Sequence, residues 1–310
     1  MAPYIGDFIR ELRDFFRTQL GPAQENSTEH PLTSLVIREG KRTGEVLVNL
    51  VAENQRPQFL SEFLVLVQEF FQKADFLQKY PQKKLVSVFF TQIHNQKGQR
   101  KRIEEELLFG KATFLDGMRV NEHKTLQFEI SPQAFFQPNT FQAELLYQKA
   151  LEASEIQSDE VVFDLFCGAG TIGIFCSVQA KMVYGIELNE SAILNARRNA
   201  DINGITNIDF LVGDVGKKLP ELKEKLEGKV DVVIVDPPRN GLAPEVIEQI
   251  VAFGPEKVTY VSCNPTSLAR DLKLFTQQNY QTLKVTPVDM FPQTYHIECV
   301  AQLRKKKADE

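Results

Sequence analysis

Five apolar runs in the second half of the chain each end in a residue type that can do chemistry. "VVFDLFCGAGTIGIF" carries Asp164 and passes into a glycine loop, Gly168-Ala169-Gly170, that lets backbone approach a ligand closely before a helix starts. Glu187 closes the next run about twenty residues on, where an acid can accept hydrogen bonds from ribose hydroxyls. Asp214 ends "FLVGD" and Asp236 ends "VVIVD". Any one of these acids alone reads as a helix cap; at four successive strand ends, an acid or glycine loop each time reads as a nucleoside-binding crevice. The fifth run, in "VTYVSCNPTSLARDL", ends at Cys263. A strand cysteine is ordinarily a small hydrophobe, but Pro265 forbids a ladder N–H and biases Asn264 away from helix, so the chain turns directly after the sulfur. That places the thiol at a sheet edge beside the crevice.

These residues need a scaffold that delivers strand ends to one place. Buried-strand patterns occur at 161–166, 182–187, 208–212, 230–235, 257–262, 283–290 and 296–303, with helical patterns between them, as in "NESAILNARRNADING", where Gly204 marks the stop. The alternation implies an α/β doubly wound sheet, parallel for its first strands, with ligands beyond their carboxyl ends. The first part reads as mixed α and β. A helical stripe runs through residues 5–20; "SLVIREGKRTGEVLVNLVAE" reads as a hairpin whose turn is framed by Gly40 and Gly44; a helix is expected in "QFLSEFLVLVQEFFQKADFLQ"; and strands are expected at 85–90, 111–114 and 125–130. Two domains are therefore expected, residues 1–130 and 131–310.

Composition bounds the partners. The chain has 310 residues, 43% of them hydrophobic, which is enough for ordinary cores, and a formal charge of −5 that does not advertise nucleic acid. The excess of acid lies in residues 131–310, whereas "NQKGQRKR", residues 95–102, is a local basic cluster that reads either as a phosphate contact or as a solvated turn. The amino terminus mixes charges with apolar residues at helical spacing, unlike a signal peptide, and no apolar run approaches the roughly 20 residues of a membrane span, so a cytoplasmic location is expected. Cys167, Cys176, Cys263 and Cys299 show no Cys-x-x-Cys pair, and His30, His94 and His123 have no ligand-spaced partners; neither disulfides nor a metal are expected.

The ribose-binding acid fits both a nicotinamide cofactor and S-adenosylmethionine. Gly168, Gly170 and Gly173 nominally satisfy G-x-G-x-x-G. The further acids Asp214 and Asp236 would repel a pyrophosphate and suit a sulfonium cation, which favours S-adenosylmethionine.

Together "DLFCGAGTIGI", "DPPRNGL", "VSCNPTSLARDL" and "DMFPQTYHIE" resemble the RNA uridine C5-methyltransferase family, which makes 5-methyluridine in transfer and ribosomal RNA. "SPQAFFQPNTFQAELLY" is similar to the segment leading into that family's catalytic domain, and "LVIREGKRTGEVLV" to its central domain, so the resemblance covers nearly the whole chain. It implies a Rossmann-like seven-stranded methyltransferase sheet with a smaller N-terminal α+β domain that contacts RNA. It implies S-adenosylmethionine held by Gln137, Phe166, Gly168, Gly170, Thr171, Glu187, Asp214 and Asp236, with Thr171 the mildest departure from the family's pattern. Cys263 would be the nucleophile that adds to uracil C6, turning C5 into a carbon that attacks a methyl sulfonium, and Glu298 the base that removes the C5 proton. On the last strand His296 and Glu298 alternate with Ile297, so both are expected to point to one face. Cys167 is expected to pack against the helix after its loop, and Cys299 to face away from Glu298.

The chain also departs from the family. Many members begin with a barrel-like RNA-binding domain and a four-cysteine iron–sulfur site, and neither is seen in this sequence, so it reads as a short form or a truncated chain without that cluster. The expected partner is ribosomal or transfer RNA offering a loop or bulge uridine, the target base flipped from its stack, and the protein is expected to act as a monomer. Two rivals remain: a non-catalytic RNA-binding protein on a degenerate fold, which needs neither Cys263 nor Glu298, and a cytosine C5-methyltransferase, which also uses a thiolate.

Overall fold

The computed structural model describes residues 3–20, 32–96, 98, 101–226 and 230–307. The chain divides into two compact units, Met1–Gly117 with Ile130–Pro132, and Met118–Glu129 with Gln133–Glu310.

The first unit runs α1 (Pro3–Leu20), β1 (Leu32–Glu39), β2 (Glu45–Glu53), α2 (Leu60–Gln72), α3 (Ala74–Lys79), β3 (Lys84–His94) and β4 (Arg102–Gly110). Its sheet has the order β1-β2-β3-β4. The hairpin forms as the glycines require: the Gly40 N–H donates to the Glu45 carbonyl at 2.8 Å, and Gly44 turns at φ +72°, where a Cβ would run into the Gln82 carbonyl. Tyr4, Phe8 and Leu12 recur at helical spacing and are buried against Phe63, Val67, Phe70 and Phe71 of α2. The single long helix expected over 58–78 is broken at Lys73, whose ψ of 135° leaves the helical region. The break turns Phe76 back onto Tyr4, Phe70 and Phe71, with ring centroids 5.0–5.6 Å apart, and aromatic packing of this kind outweighs one lost helical turn. No strand occupies 111–114 as a unit; β4 ends at Gly110 and β5 (Phe114–Arg119) begins at Phe114, followed by β6 (Thr125–Ile130). β4 itself escapes hydrophobic pattern reading because "RIEEE" is an exposed edge. In the basic cluster before it, Lys97, Gln99 and Arg100 lie outside the described residues, as does His30.

The second unit adds α4 (Thr140–Ser154), β7 (Val161–Leu165), α5 (Thr171–Cys176), β8 (Met182–Glu187), α6 (Glu190–Ile202), β9 (Ile208–Val212), α7 (Val215–Lys225), β10 (Val232–Val235), α8 (Pro244–Phe253), β11 (Lys257–Ser262), α9 (Pro265–Gln277), β12 (Tyr280–Val288) and β13 (Glu298–Lys305). The strands form one seven-stranded sheet in the order β12-β13-β11-β10-β7-β8-β9. β7 to β11 are parallel; β13 runs antiparallel between β11 and β12. The chain leaves β7 toward β8 and later returns to its other side at β10, so a topological switch point opens beyond Leu165 and Val235.

Side-chain alternation sorts the two faces of this sheet. Phe163, Leu165, Val233, Val235, Tyr260, Cys299 and Ala301 pack with α7, α8 and α9 in one apolar core. Asp164 and Glu298 alternate with those residues and point to the opposite face. Cys299 thus faces away from Glu298, as the alternation requires.

Candidate active site

The loop after β7 is held in a shape that few side chains tolerate. Phe166 (φ +65°), Gly168 (φ +54°) and Gly170 (φ +77°) all lie in the left-handed region, which in a non-glycine residue costs about 1 kcal/mol or more and marks a built feature. A Cβ on Gly170 would sit 2.6 Å from the Phe210 ring and 2.9 Å from Ala196, so the turn is closed to any larger residue. The Cys167 N–H donates to the Ile186 carbonyl at 3.1 Å, and the Gly170 N–H to the Cys167 carbonyl at 2.8 Å. Glu187 joins this loop to the next: one carboxylate oxygen accepts from the Gly168 N–H at 3.2 Å, the other from the Asn189 N–H at 2.8 Å. Each oxygen keeps a lone pair for an incoming hydroxyl.

Beneath the loop, Asp164 is fully buried. One oxygen accepts from the Gly173 N–H at 2.7 Å and the other has no partner. Burial raises its pKa, the Gly173 bond opposes that and Glu187 adds to it, leaving the group pushed up to about 7.

Cys263 follows β11 as a half-buried thiol. Register pairs Ser262 with Cys299, so Val261 and Cys263 flank it on the face that Glu298 shares. Asn264 then caps α9, its side-chain oxygen accepting from the Thr266 N–H at 3.1 Å, while its amide donates to the Arg239 carbonyl at 3.0 Å. That bond ties the turn after Cys263 to the "DPPRNGL" loop. The loop is clamped from α9 as well: buried Asp271 accepts from the Leu242 N–H at 2.8 Å, the Tyr260 hydroxyl at 2.7 Å and Arg270 Nε at 2.8 Å. Arg239 donates to His296 Nδ1 at 3.1 Å. His296 lies before β13, which begins at Glu298, so the strand alternation expected for that pair does not apply.

The electrostatics of the cluster are uneven. Asp236, partly exposed at the end of β10, is pushed up to about 8 by burial, by Glu298 and by Asp164. Burial raises Glu298, with Arg239 pulling the other way. The Cys263 thiol is raised by burial, Glu298 and Asp236, and lowered by Arg239 and its own backbone contact. Tyr147 on α4, buried edge-on to Phe175, is pushed up by burial and then by Asp236, Asp164 and Glu298, which brings a phenol hydroxyl to the same cluster. Four acids with one nearby guanidinium form a site short of positive charge. A cationic, ribose-bearing ligand suits such a site: Asp236 lies part-exposed at the end of β10, Glu187 keeps acceptor capacity for hydroxyls, and the glycine loop allows close backbone approach. Among the described residues no cluster of histidine, cysteine and acid is arranged to hold a metal ion, and no helix is long and apolar enough to cross a membrane.

The family profile described as tRNA (uracil-5-)-methyltransferase matches residues 66–306. The chain belongs to the tRNA (uracil-5-)-methyltransferase family. An uncharacterised RNA methyltransferase of Caldanaerobacter subterraneus is 42% identical over 276 residues, covering 88% of this chain and 57% of its own length. Another, from Oceanobacillus iheyensis, is 36% identical over 303 residues, covering 96% and 61%. The crystal structure of the Pyrococcus abyssi tRNA (uracil-54, C5)-methyltransferase in complex with S-adenosyl-L-homocysteine superposes with a TM-score of 0.68 at 28% identity, covering 95% of this chain and 66% of that one. The chain thus spans somewhat over half the length of the curated relatives it matches.

Within this family frame the sequence-derived residues fall into three groups. Phe166, Gly168, Gly170, Glu187 and Asp236 line the carboxyl ends of β7, β8 and β10; Cys263 follows the carboxyl end of β11, and Glu298 stands beside it at the amino end of the antiparallel β13. Gln137 and Thr171 are buried, in the loop before α4 and at the first position of α5. Asp214 is exposed and caps α7, accepting from the Lys217 N–H at 3.2 Å. Cys167 is buried, and a Cβ on Gly185 of β8 would come within 3.1 Å of its sulfur, beyond the nearer Phe210 ring. Burial, Asp164 and Glu187 hold that thiol protonated and unreactive. Sequence reading missed Arg239, Asp271 and Tyr147. The "DPPRNGL" motif contained the signal for Arg239; those for Asp271 and Tyr147 exist only in tertiary contacts.

Proposed function

We propose that this chain carries the catalytic part of an RNA methyltransferase that transfers a methyl group from S-adenosylmethionine to uridine C5 in transfer or ribosomal RNA, through a covalent Cys263–C6 adduct. The carrying observation is that Cys263 and Glu298 occupy adjacent strand ends on one sheet face, with Arg239 tied to both neighbourhoods. S-adenosylmethionine, held by Gln137, Phe166, Gly168, Gly170, Thr171, Glu187, Asp214 and Asp236, would supply an electrophilic methyl on a cationic sulfur.

The protein's own groups do the rest. Cys263 gives its proton to solvent, the thiolate being stabilised by the Arg239 charge, and its sulfur bonds to C6 while the C5=C6 electron pair moves onto the ring carbonyl as an enolate; C5 then takes the methyl. Glu298 accepts the C5 proton, the C5=C6 bond re-forms and the S–C6 bond breaks. Burial raises the basicity of Glu298 toward the working pH, which suits a general base. Residues 1–130 are assigned RNA contact and residues 131–310 the transfer; a loop or bulge uridine is preferred because flipping it costs least.

Labelled RNA and S-adenosylmethionine on a denaturing gel test the assignment. Cys263→Ala should form no adduct and lose at least about 10⁴-fold in turnover, as nucleophile removal does. Glu298→Gln should add, methylate and then stall as a methylated adduct. An adduct persisting in Cys263→Ala moves the nucleophile elsewhere, and rapid release by Glu298→Gln removes the base assignment. Methylation of cytidine instead would favour the other thiolate chemistry.

A further inference from the structure

The segment between β12 and β13 ends in a built turn that presents one aromatic ring to solvent. Met290 is fully buried, and its carbonyl accepts from the Asn139 amide at 3.1 Å. The Thr294 N–H and hydroxyl both donate to the Phe291 carbonyl, at 3.1 and 2.8 Å, and the His296 N–H donates to the Thr294 hydroxyl at 3.2 Å. Gln293 turns the chain at φ +71°. The result is Tyr295 at 89% exposure, its ring tilted over His296 with centroids 4.2 Å apart, and Phe291 edge-on to the other partner of that stack at 6.4 Å. Arg239 holds His296 from below, and Glu298 follows three residues after the ring.

Burial does not explain this ring, since the chain covers so little of it. Its open face is a flat π surface at the rim of the cluster, backed by an imidazole and a guanidinium. Such a surface fits a heteroaromatic ring carried on an anionic backbone: bases stack on aromatic side chains in a sequence-tolerant way, and single-stranded RNA is recognised largely so. Flipping a target base leaves its neighbours with an unstacked face.

Resting on the function proposed above, we infer that Tyr295 is a stacking platform for an unpaired nucleobase adjacent to the target uridine. It is a specificity and positioning device, so its loss raises KM and leaves the chemical step alone.

The chain contains no tryptophan, so Tyr295→Trp introduces a sole indole at the platform. Unmodified hairpin-loop transcripts of transfer and ribosomal RNA serve as probes, with each nucleotide flanking the loop uridine replaced in turn by an abasic one. Indole fluorescence should be quenched by the intact hairpin and by only one of the two abasic versions. In methyl transfer, Tyr295→Ala should raise KM roughly tenfold with kcat within about twofold, and Tyr295→Phe should behave as wild type. The abasic substitution that abolishes quenching should raise the wild-type KM by the same factor and have no further effect on Tyr295→Ala. An unchanged KM in Tyr295→Ala, additive losses, or methyl transfer without quenching would overturn the platform. Quenching without methyl transfer to any probe would instead overturn the functional reading while leaving the platform standing.

Discussion

Buried acids are treated in opposite ways by the two units. In the first, Glu39 has a nearly inaccessible carboxylate that Lys83 and Lys41 both reach, the latter at 2.9 Å. Burial alone would raise it, but those hydrogen bonds and charges win and hold it below the ordinary range. In the second, Asp164 and Asp236 are pushed up to about 7 and about 8, and Glu298 is raised too, although the Arg239 charge pulls it the other way. Asp271 shows that this unit can satisfy an acid when the acid is structural, since it collects three donors. The lesson is that matched acids hold the fold, and unmatched acids gathered at strand ends await a charge from outside.

Removing the matched acid should cost stability and little else. Glu39→Ala strands Lys83 in a largely buried position and should lower unfolding free energy by about 3 kcal/mol, the scale of breaking a buried ion pair, with cofactor affinity unchanged. Chemical denaturation alongside calorimetry reads both, and a large loss of affinity would blur the contrast. Glu187→Ala should do the reverse. It should weaken S-adenosylmethionine binding by about 10- to 100-fold, the range for hydrogen bonds to a charged group, with only a small change in melting temperature. Unaltered affinity would remove the ribose assignment.

The finest contrast is in the pH dependence of stability without ligand. Glu39 has a folded pKa below its unfolded one, so its contribution is present above the unfolded value and fades as pH falls through the folded one. Asp236 has its folded pKa raised from 3.8 to about 8, so stability present at low pH is lost as pH rises between those values. Asp236→Asn should therefore flatten the fall in melting temperature between about pH 5 and pH 8, and Glu39→Gln should flatten the acid limb. Parallel curves for wild type and Asp236→Asn would mean that the carboxyl is not held protonated. Ligand affinity offers a cross-check: a cation selects the ionised acid, so wild-type affinity for S-adenosylmethionine should rise with pH up to about 8 and lose that dependence in Asp236→Asn.

Legibility in the sequence followed apolar contrast. β8, β9 and β11 match their apolar runs to the residue: β11 is buried throughout, and in the part-buried β8 and β9 the apolar run still stands out from its polar or glycine neighbours. β12 and β13 are displaced by two or three residues from the runs 283–290 and 296–303, since β12 is half exposed and loses that contrast. The positions of the strand-end residues were readable because each follows an apolar run that ends at the switch-point side of the sheet. What could not be read was whatever depends on residues distant in sequence meeting: the Asp271 clamp, the break at Lys73, the approach of Arg239 to His296, and the capping bond that occupies Asp214.

The insertion of β13 between β11 and β12 has a consequence for how the protein is made. Glu298 enters the sheet on the last strand described, so a nascent chain can form β7 to β11, with its glycine loop and Cys263, while still lacking that carboxylate. Until residues 298–305 leave the ribosome, β11 and β12 cannot pair with each other through their missing neighbour, and each keeps an open edge of the kind that invites misassociation. Emergence of residues 298–305 therefore closes the sheet and brings Glu298 beside Cys263 in one event.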